Sequence, residues 1–266
     1  MSGGTREIAC VSNISEPSAC RALILAAGVG LRLRNGRPTD QHLPKALLRF
    51  GGRSLLERHL DILRRAGIRD VTIVAGYREE EIRAELKSRI GSDLHLVVNP
   101  DFEMGSVVSL HMGRSVLEGG TPVILMDADV LYDARLMECL LHSKHQNCLL
   151  LDRDIEPGDE PVKLCVSNGR IVDFHKRPQV PYEWHGESVG FFRFDPDCAA
   201  ELARRAKGHV AAGRTQLEYE EPIREMILSS WPERFGYEDI SGLPWTEIDF
   251  PEDVMKAQAL LGKMAQ

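Results

Sequence analysis

The chain has 266 residues, 43% of them hydrophobic, and a formal net charge of -7. This size and composition fit one α/β domain with a substantial core, and the negative charge gives no basic field for a nucleic-acid partner. No apolar run approaches the roughly 18 residues of a membrane-spanning helix, and residues 1–20 lack an apolar signal-peptide core. We therefore expect a cytoplasmic protein without membrane insertion, in which residues 1–20 are a polar extension.

Strands and helices alternate through the first half of the chain. "RALILAAG" is a short apolar run ended by glycine, which is typical of a buried parallel strand. "SLLERHLDILRRAG" indicates both ends of a helix, because Ser54 and Glu57 form a capping box and Gly67 is a stop signal. The same reasoning predicts strands at 21–28, 70–76, 94–99, 122–130 and 147–152, and helices at 54–67, 78–90, 106–119 and 133–145.

The pattern changes after residue 152. Asn168-Gly169 lies between two alternating runs and predicts a β-hairpin over 162–176. We expect an α/β fold with a doubly wound, mainly parallel, Rossmann-like sheet and an antiparallel addition in the C-terminal half. The remaining predicted elements are strands at 187–195 and 245–250 and helices at 196–207, 217–229 and 251–262. The predicted division is a single domain over 21–266, with a core at 21–152, an addition at 153–250 and a closing helix at 251–262.

A glycine loop follows the first strand, with the pattern Gly28-x-Gly30-x-Arg32. Glycines let backbone N–H groups approach phosphate oxygens closely. A dinucleotide fingerprint needs a third glycine and an immediate helix, whereas this chain has Leu33 at that position and prolines at 38 and 44. The loop alone leaves two alternatives open, a triphosphate-binding loop and a tight turn.

Charged side chains later in the chain could complete a phosphate site. Lys45 follows a stiffening proline and could neutralise a phosphate, although a solvated surface lysine has the same pattern. Asp127 and Asp129 lie at i and i+2 at the end of a predicted strand, so they are expected to point the same way and to suit Mg²⁺. Asp249 precedes the last helix. A turn or helix cap is the alternative for these carboxylates.

The order of these motifs resembles the sugar-phosphate nucleotidyltransferase superfamily, in particular its small choline-phosphate and phosphonate cytidylyltransferase branch. The resemblance is strongest over "ALILAAGVGLRL" and "LPKALLRFGGRSLLERHLDILRRAGIRDVTIVAGY". The chain departs from the family at Leu31, where Ser or Thr is common, and at Gly105 and Ser106, where consecutive asparagines are common. The resemblance implies catalytic roles for Lys45 and Arg32, Mg²⁺ ligation by Asp129 and Asp249, and a nucleotide site at Leu25, Ala26, Ala27, Gly28, Gly30, Arg32, Gly76, Ser106, Ser109 and Asp127.

The acceptor site is the least determined part of the prediction. Trp184, Glu187, Glu218 and Tyr219 together would suit an amine or quaternary ammonium group, although packing is the alternative for the tryptophan. The predicted reaction transfers CMP from CTP to a small phosphate or phosphonate acceptor and releases pyrophosphate. The alternatives are a sugar-1-phosphate or inositol-phosphate nucleotidyltransferase and a catalytically silent nucleotide-binding regulatory protein. A homodimer is an open possibility for the assembly.

Overall fold

The computed structural model describes residues 20–33, 42–87, 89–154, 161–229 and 232–264. The predicted polar extension therefore lies, except for Cys20, outside the described residues. The strands are β1 Arg21–Ala26, β2 Arg49–Phe50, β3 Arg53–Ser54, β4 Val71–Ala75, β5 Leu94–Val98, β6 Val123–Asp127, β7 Val130–Tyr132, β8 Asn147–Asp152, β9 Lys163–Ser167, β10 Arg170–His175, β11 Trp184–Phe194, β12 Phe235–Asp239 and β13 Trp245–Glu247. The α-helices are α1 Leu55–Arg65, α2 Glu79–Leu86, α3 Ser106–Met112, α4 Arg114–Leu117, α5 Arg135–His142, α6 Pro196–Ala211, α7 Glu220–Leu228 and α8 Pro251–Leu260.

The parallel part of the sheet has the order β6-β1-β4-β5. Its central strands are apolar on both faces because separate buried clusters pack above and below them. Ile24 of β1 belongs to one cluster and Leu25 to the other, as expected from the alternation of side chains along a strand. The predicted α/β fold with a mainly parallel central sheet is confirmed.

Strand β11 connects the parallel part of the sheet to the antiparallel addition. Its first half pairs with β9, its second half pairs with β6, and β8 pairs with residues both before and after Gly190. The partner changes from β9 to β6 around Gly190. This residue has a φ of +76° and lies in a register irregularity of the pairing with β8. We call this change of partner the fork of β11, and it lies beside Asp127, the last residue of β6.

The predicted hairpin and the predicted first helix both form. Asn168 and Gly169 have φ angles of 50° and 71°, which are the left-handed angles required by a two-residue turn between β9 and β10. Helix α1 has the predicted capping box: the Ser54 hydroxyl accepts from the Glu57 N–H, and the Glu57 carboxylate accepts from the Ser54 N–H.

The structure differs from the predicted elements at several places. The helix predicted over 106–119 is divided at Gly113, which packs so closely on β1 that a Cβ there would lie 2.7 Å from the Leu23 side chain. The strand predicted over 122–130 ends at Asp127, so Asp129 lies in a bend beyond it. Strand β12 was not predicted, and it pairs in parallel with β8.

A second, smaller sheet lies beside the main one. Strands β7 and β13 pair antiparallel, and helix α8 follows directly after β13. Leu131, Ile248 and Ala257 pack with Phe50 and Leu55 in a small apolar cluster, whereas Val130 and Tyr132 of β7 pack in a large one. We call β7, β13 and α8 the ribbon unit. No helix in the described ranges combines the length and the apolar character needed to span a membrane.

Candidate functional site

A cleft of about 300 Å³ opens at the carboxyl ends of β1 and β6, beside the fork of β11. Ligands bind at this edge in open α/β sheets because the connections diverge there. Many of the side chains predicted from sequence line it. They are Leu25, Ala27, Gly28, Arg32, Lys45, Ser106, Ser109, Asp127, Asp129, Glu187, Glu218, Tyr219 and Asp249.

Lys45 lies at the centre of the charged part of the cleft. Its Nζ atom donates to Asp129 Oδ2 at 2.9 Å and to Asp249 Oδ1 at 2.6 Å. Burial lowers the pKa of Lys45, but these two carboxylates outweigh burial and hold it above its ordinary value. Arg32 lies 3.2 Å from the other oxygen of Asp249. Two cationic side chains, Lys45 and Arg32, therefore lie beside the predicted metal ligands.

Three carboxylates converge next to Lys45. Ligand atoms of Asp129, Glu247 and Asp249 all lie within 4.8 Å of one another. The ribbon unit produces this convergence: Glu247 is paired with Val130, and the Ile248 N–H donates to the Asp129 carbonyl at 3.0 Å. An all-oxygen set of carboxylates suits Mg²⁺, which takes one or two carboxylates and completes its shell with water and phosphate oxygens. The residues present therefore fit a magnesium ion.

The cleft holds more negative charge than its cations compensate. Burial, with the carboxylates of Asp129 and Glu220, raises the pKa of Asp127, although its Oδ2 accepts from the Tyr219 hydroxyl at 2.6 Å. Desolvation, with Asp129 and Asp249, also raises the pKa of Glu247. Raised carboxyl pKa values indicate that added positive charge is favourable at this site.

The wall opposite the ribbon unit is formed by the start of α3 and the segment before α7. The Ser106 hydroxyl accepts from the Tyr219 N–H at 2.8 Å, and the Ser109 hydroxyl accepts from the Asn99 amide at 3.0 Å. Gly105 allows the two segments to meet, because a Cβ there would lie 2.1 Å from the Leu217 carbonyl oxygen. Both predicted serines are thus held by hydrogen bonds at the cleft wall.

Four of the predicted site residues do not line the cleft. Ala26 is buried in β1. Gly30 lies against the Lys45 side chain, since a Cβ there would lie 3.1 Å from Lys45 Cγ. Gly76 packs behind the wall, since a Cβ there would lie 2.4 Å from the Cβ of Phe102. Trp184 lies against Tyr237 and the Arg153 guanidinium, so it has the packing environment that was its alternative.

The cleft also contains residues that the predicted site did not include. Lys176 donates to Glu218 Oε1 at 2.8 Å, and its position just after a hairpin strand and two residues before a proline was the available signal. Glu220 also reaches the cleft, and burial with nearby Glu218 raises its pKa to about 8. Its place in one acidic and aromatic run with Glu218 and Tyr219 was the available signal, although an ordinary acidic helix start has the same pattern. The others are Phe102, Met104, Val162, Ser188, Val189, Gly190 and Glu247.

Comparison with known proteins identifies the family of this fold and site. The model of the MobA-like NTP transferase domain matches residues 22–220. The chain belongs to this family. Its matched region contains Arg32, Lys45 and Asp129 and most of the cleft wall, whereas Glu247 and Asp249 follow it. The predicted resemblance to nucleotidyltransferases is confirmed.

Curated relatives align with most of the residues of this NTP transferase domain. It is 28% identical over 249 residues to the "Bifunctional IPC transferase and DIPP synthase" of Thermococcus kodakarensis, covering 92% of this chain and 51% of that protein. It is 28% identical over 252 residues to the "CMP-5'-(3-aminopropyl)phosphonate synthase" of Streptomyces rubellomurinus, covering 89% of this chain and 38% of that one. The chain thus spans about half or less of these relatives.

A solved structure supports the fold of this NTP transferase domain. The inositol-1-phosphate CTP transferase from T. maritima superposes with a TM-score of 0.73 at 19% identity. The match covers 92% of this chain and 98% of that chain. The fold of most of this chain is therefore shared with that solved chain.

Proposed function

We propose that the protein is a Mg²⁺-dependent cytidylyltransferase that transfers CMP from CTP to a small phosphate or phosphonate acceptor. The observation that carries this proposal is the contact of one ammonium, Lys45 Nζ, with two carboxylates at the carboxyl end of the parallel sheet. The names of two relatives support the choice of nucleotide and acceptor, because they pair a cytidine nucleotide with inositol-1-phosphate or an aminopropylphosphonate.

The reaction brings two anions together, so charge neutralisation and in-line positioning are the main requirements. An acceptor oxygen attacks the α-phosphorus of CTP, the bond to the β-phosphate breaks, and pyrophosphate leaves. The nucleophile is already an anion, so no general base is needed. Asp129, Glu247 and Asp249 would hold Mg²⁺, which supplies positive charge to the phosphate oxygens.

The chain's own cations have distinct tasks in this proposal. Lys45 stabilises charge on the transferring phosphoryl group, and Arg32 stabilises charge on the leaving pyrophosphate. Lys45 must turn from Asp129 and Asp249 toward phosphate when substrate and metal enter. The positive φ of Gly30, +65°, and its lack of a side chain leave room for the Lys45 stem beneath the loop. The predicted nucleotide contacts of Leu25, Ala27 and Gly28 remain part of this proposal.

Pyrophosphate release tests the proposed reaction. Each of CTP, UTP, GTP and dTTP is paired with 2-aminoethylphosphonate, phosphocholine, inositol-1-phosphate and glucose-1-phosphate in the presence of Mg²⁺. We expect CTP with a small phosphate or phosphonate acceptor to give the fastest release. If no pair of nucleotide and acceptor gives pyrophosphate release, the proposed enzymatic activity is refuted. Fastest release with glucose-1-phosphate and UTP or dTTP would instead support the sugar-1-phosphate alternative.

The metal site has a separate test. We expect Asp249→Asn to reduce turnover at least about 100-fold and to weaken Mn²⁺ binding measured by electron paramagnetic resonance, because it removes charge from the carboxylate cluster. Glu252→Gln is the matched control, since Glu252 is an exposed carboxylate three positions away on α8. Unchanged Mn²⁺ affinity in Asp249→Asn, with an intact fold by circular dichroism, would contradict the metal role.

A further inference from the structure

Within the part of the chain that the structure describes, one carboxyl oxygen in the cleft wall lacks a hydrogen-bond partner. Glu220 begins helix α7, and its Oε2 atom is buried without a donor in the described structure. The same residue lines the cleft, so a bound molecule can reach it. A buried acceptor without a donor is costly. The position is therefore suited to a ligand group that brings its own N–H or O–H.

The charges around Glu220 distinguish between a ligand N–H and a ligand O–H as the missing donor. Its neighbours in the cleft include the carboxylates of Glu218 and Glu247, and its own charge acts on Asp127. Lys176 is the nearby cation, and its ammonium already donates to Glu218 at 2.8 Å. Burial and Glu218 raise the pKa of Glu220 to about 8, so its carboxyl is largely protonated at neutral pH until a cation enters, and a neutral hydroxyl would not change that. A protonated amine would supply both the donor and the missing charge.

The missing donor also distinguishes between kinds of ammonium group. A quaternary ammonium has no N–H, so it would compensate charge but leave Oε2 without a hydrogen bond. Tyr219 does not fill the position, because its hydroxyl donates to Asp127 at 2.6 Å. Among cationic groups, a primary amine on a short chain meets both requirements.

We propose that Glu220 is the specificity-determining residue of the acceptor site and that it selects acceptors with a protonated primary amine, such as short aminoalkyl phosphonates or phosphates. The amine donates to Glu220 Oε2, and the phosphonate or phosphate end lies toward Lys45 and Arg32. This inference rests on the proposed nucleotidyl transfer and specifies its acceptor.

Matched acceptors test the inference. In the presence of CTP and Mg²⁺, we expect kcat/KM to be highest for 2-aminoethylphosphonate and lower for 2-hydroxyethylphosphonate and phosphocholine. Glu220→Gln should lower kcat/KM for the amine about 10- to 100-fold, the range for losing a charge-assisted hydrogen bond. The same variant should change 2-hydroxyethylphosphonate turnover less than about threefold. Glu221→Gln, next along the helix and outside the cleft lining, should change neither.

Calorimetric titration separates failure of the inference from failure of the proposed function. We expect 2-aminoethylphosphonate to bind wild-type protein more tightly than 2-hydroxyethylphosphonate does, and Glu220→Gln to remove the difference while CTP affinity is retained. Equal losses for both acceptors in Glu220→Gln, or no preference for the amine in wild type, would overturn the inference. Amine-selective binding without any turnover would support the inference about Glu220 and refute the proposed reaction.

Discussion

Gly190 is the residue at which the sheet divides, and its missing side chain makes room for Asp127. A Cβ there would lie 2.2 Å from Asp127 Oδ2, and the φ of +76° is one that other residues rarely adopt. Asp127 in turn holds the Tyr219 hydroxyl. The fork of β11 and the acidic wall of the cleft therefore depend on the same glycine.

Gly190→Ala should therefore act on both stability and binding. We expect it to lower the free energy of unfolding by about 1–3 kcal/mol and to weaken CTP or acceptor binding, because Asp127 must move. Urea unfolding and calorimetric titration measure these effects. Gly213→Ala is the control: its φ is similar, +73°, but its Cβ would meet no atom within 4 Å. Equal effects of the two substitutions would show that strain alone matters at Gly190.

The sequence predicts individual charges in the cleft better than it predicts their partners. Lys45 and Asp249 stand in recognisable motifs, but their contact joins residues 204 positions apart. Glu220 has the context of any acidic helix start, and its importance comes from a missing donor that only the folded chain reveals. Trp184 shows the reverse case, since its residue type suggested an ammonium site in the cleft, whereas its ring lies outside the cleft lining, against Tyr237 and the Arg153 guanidinium.

At the scale of elements, the contact between the start of α3 and the segment before α7 forms one wall of the cleft. The Gly105 N–H donates to the Thr215 carbonyl at 2.7 Å, and the Val107 N–H donates to the Leu217 carbonyl at 3.1 Å. These backbone hydrogen bonds position Ser106 and Tyr219 side by side. The contact requires a residue without a side chain at position 105.

Gly105→Ala and Gly208→Ala should change the free energy of unfolding in opposite directions. The first places a Cβ against backbone atoms, so we expect it to lower the free energy of unfolding by more than about 1 kcal/mol and to reduce turnover. The second lies inside α6 with open space around its Cβ, so we expect stabilisation by about 0.5–1 kcal/mol with turnover unchanged. Thermal or urea unfolding measures both. Gly105→Ala with wild-type stability would contradict the close contact.

Element types were predicted well, and their ends were predicted less well. The capping box and the Asn-Gly turn are local signals, and both appear in α1 and the β9–β10 hairpin. The division of the predicted 106–119 helix at Gly113 comes from close packing on Leu23, which is a long-range contact. The end of β6 at Asp127 likewise depends on the fork of β11. The division into core, addition and closing helix stays a prediction.

At the scale of the whole molecule, a buried histidine links stability to pH. His59 is fully buried, and its ring lies 5.2 Å from that of Tyr132 and 6.0 Å from that of Phe191. Burial lowers the pKa of His59 to about 4, against the opposing effects of the Ala128 carbonyl and the Asp129 carboxylate. The folded state therefore holds this imidazole neutral where the unfolded chain would protonate it.

Acid should destabilise the protein through this residue. Because the folded pKa lies below the unfolded value of 6.5, stability is present above pH 6.5 and is lost as pH falls toward 4, by at most about 3 kcal/mol. Urea unfolding between pH 7 and 4 measures the slope. We expect His59→Phe, which can pack on the same rings, to flatten it, whereas exposed His142→Gln should not. If the free energy of unfolding depends on pH equally in wild type and His59→Phe, the assigned role of His59 is contradicted.

The ribbon unit has a consequence for heat inactivation. It carries Glu247 and leads into Asp249. Its strand β7 is anchored in a large apolar cluster through Val130 and Tyr132, but the segment after β13 packs through Ile248 and Ala257 in a much smaller one. Segments with few buried contacts open at lower free energy than the core. We therefore expect catalytic activity to disappear on heating several degrees below the loss of far-ultraviolet circular dichroism, and Mg²⁺ with CTP to narrow that gap. The protein would then lose its chemistry while most of its sheet is still folded.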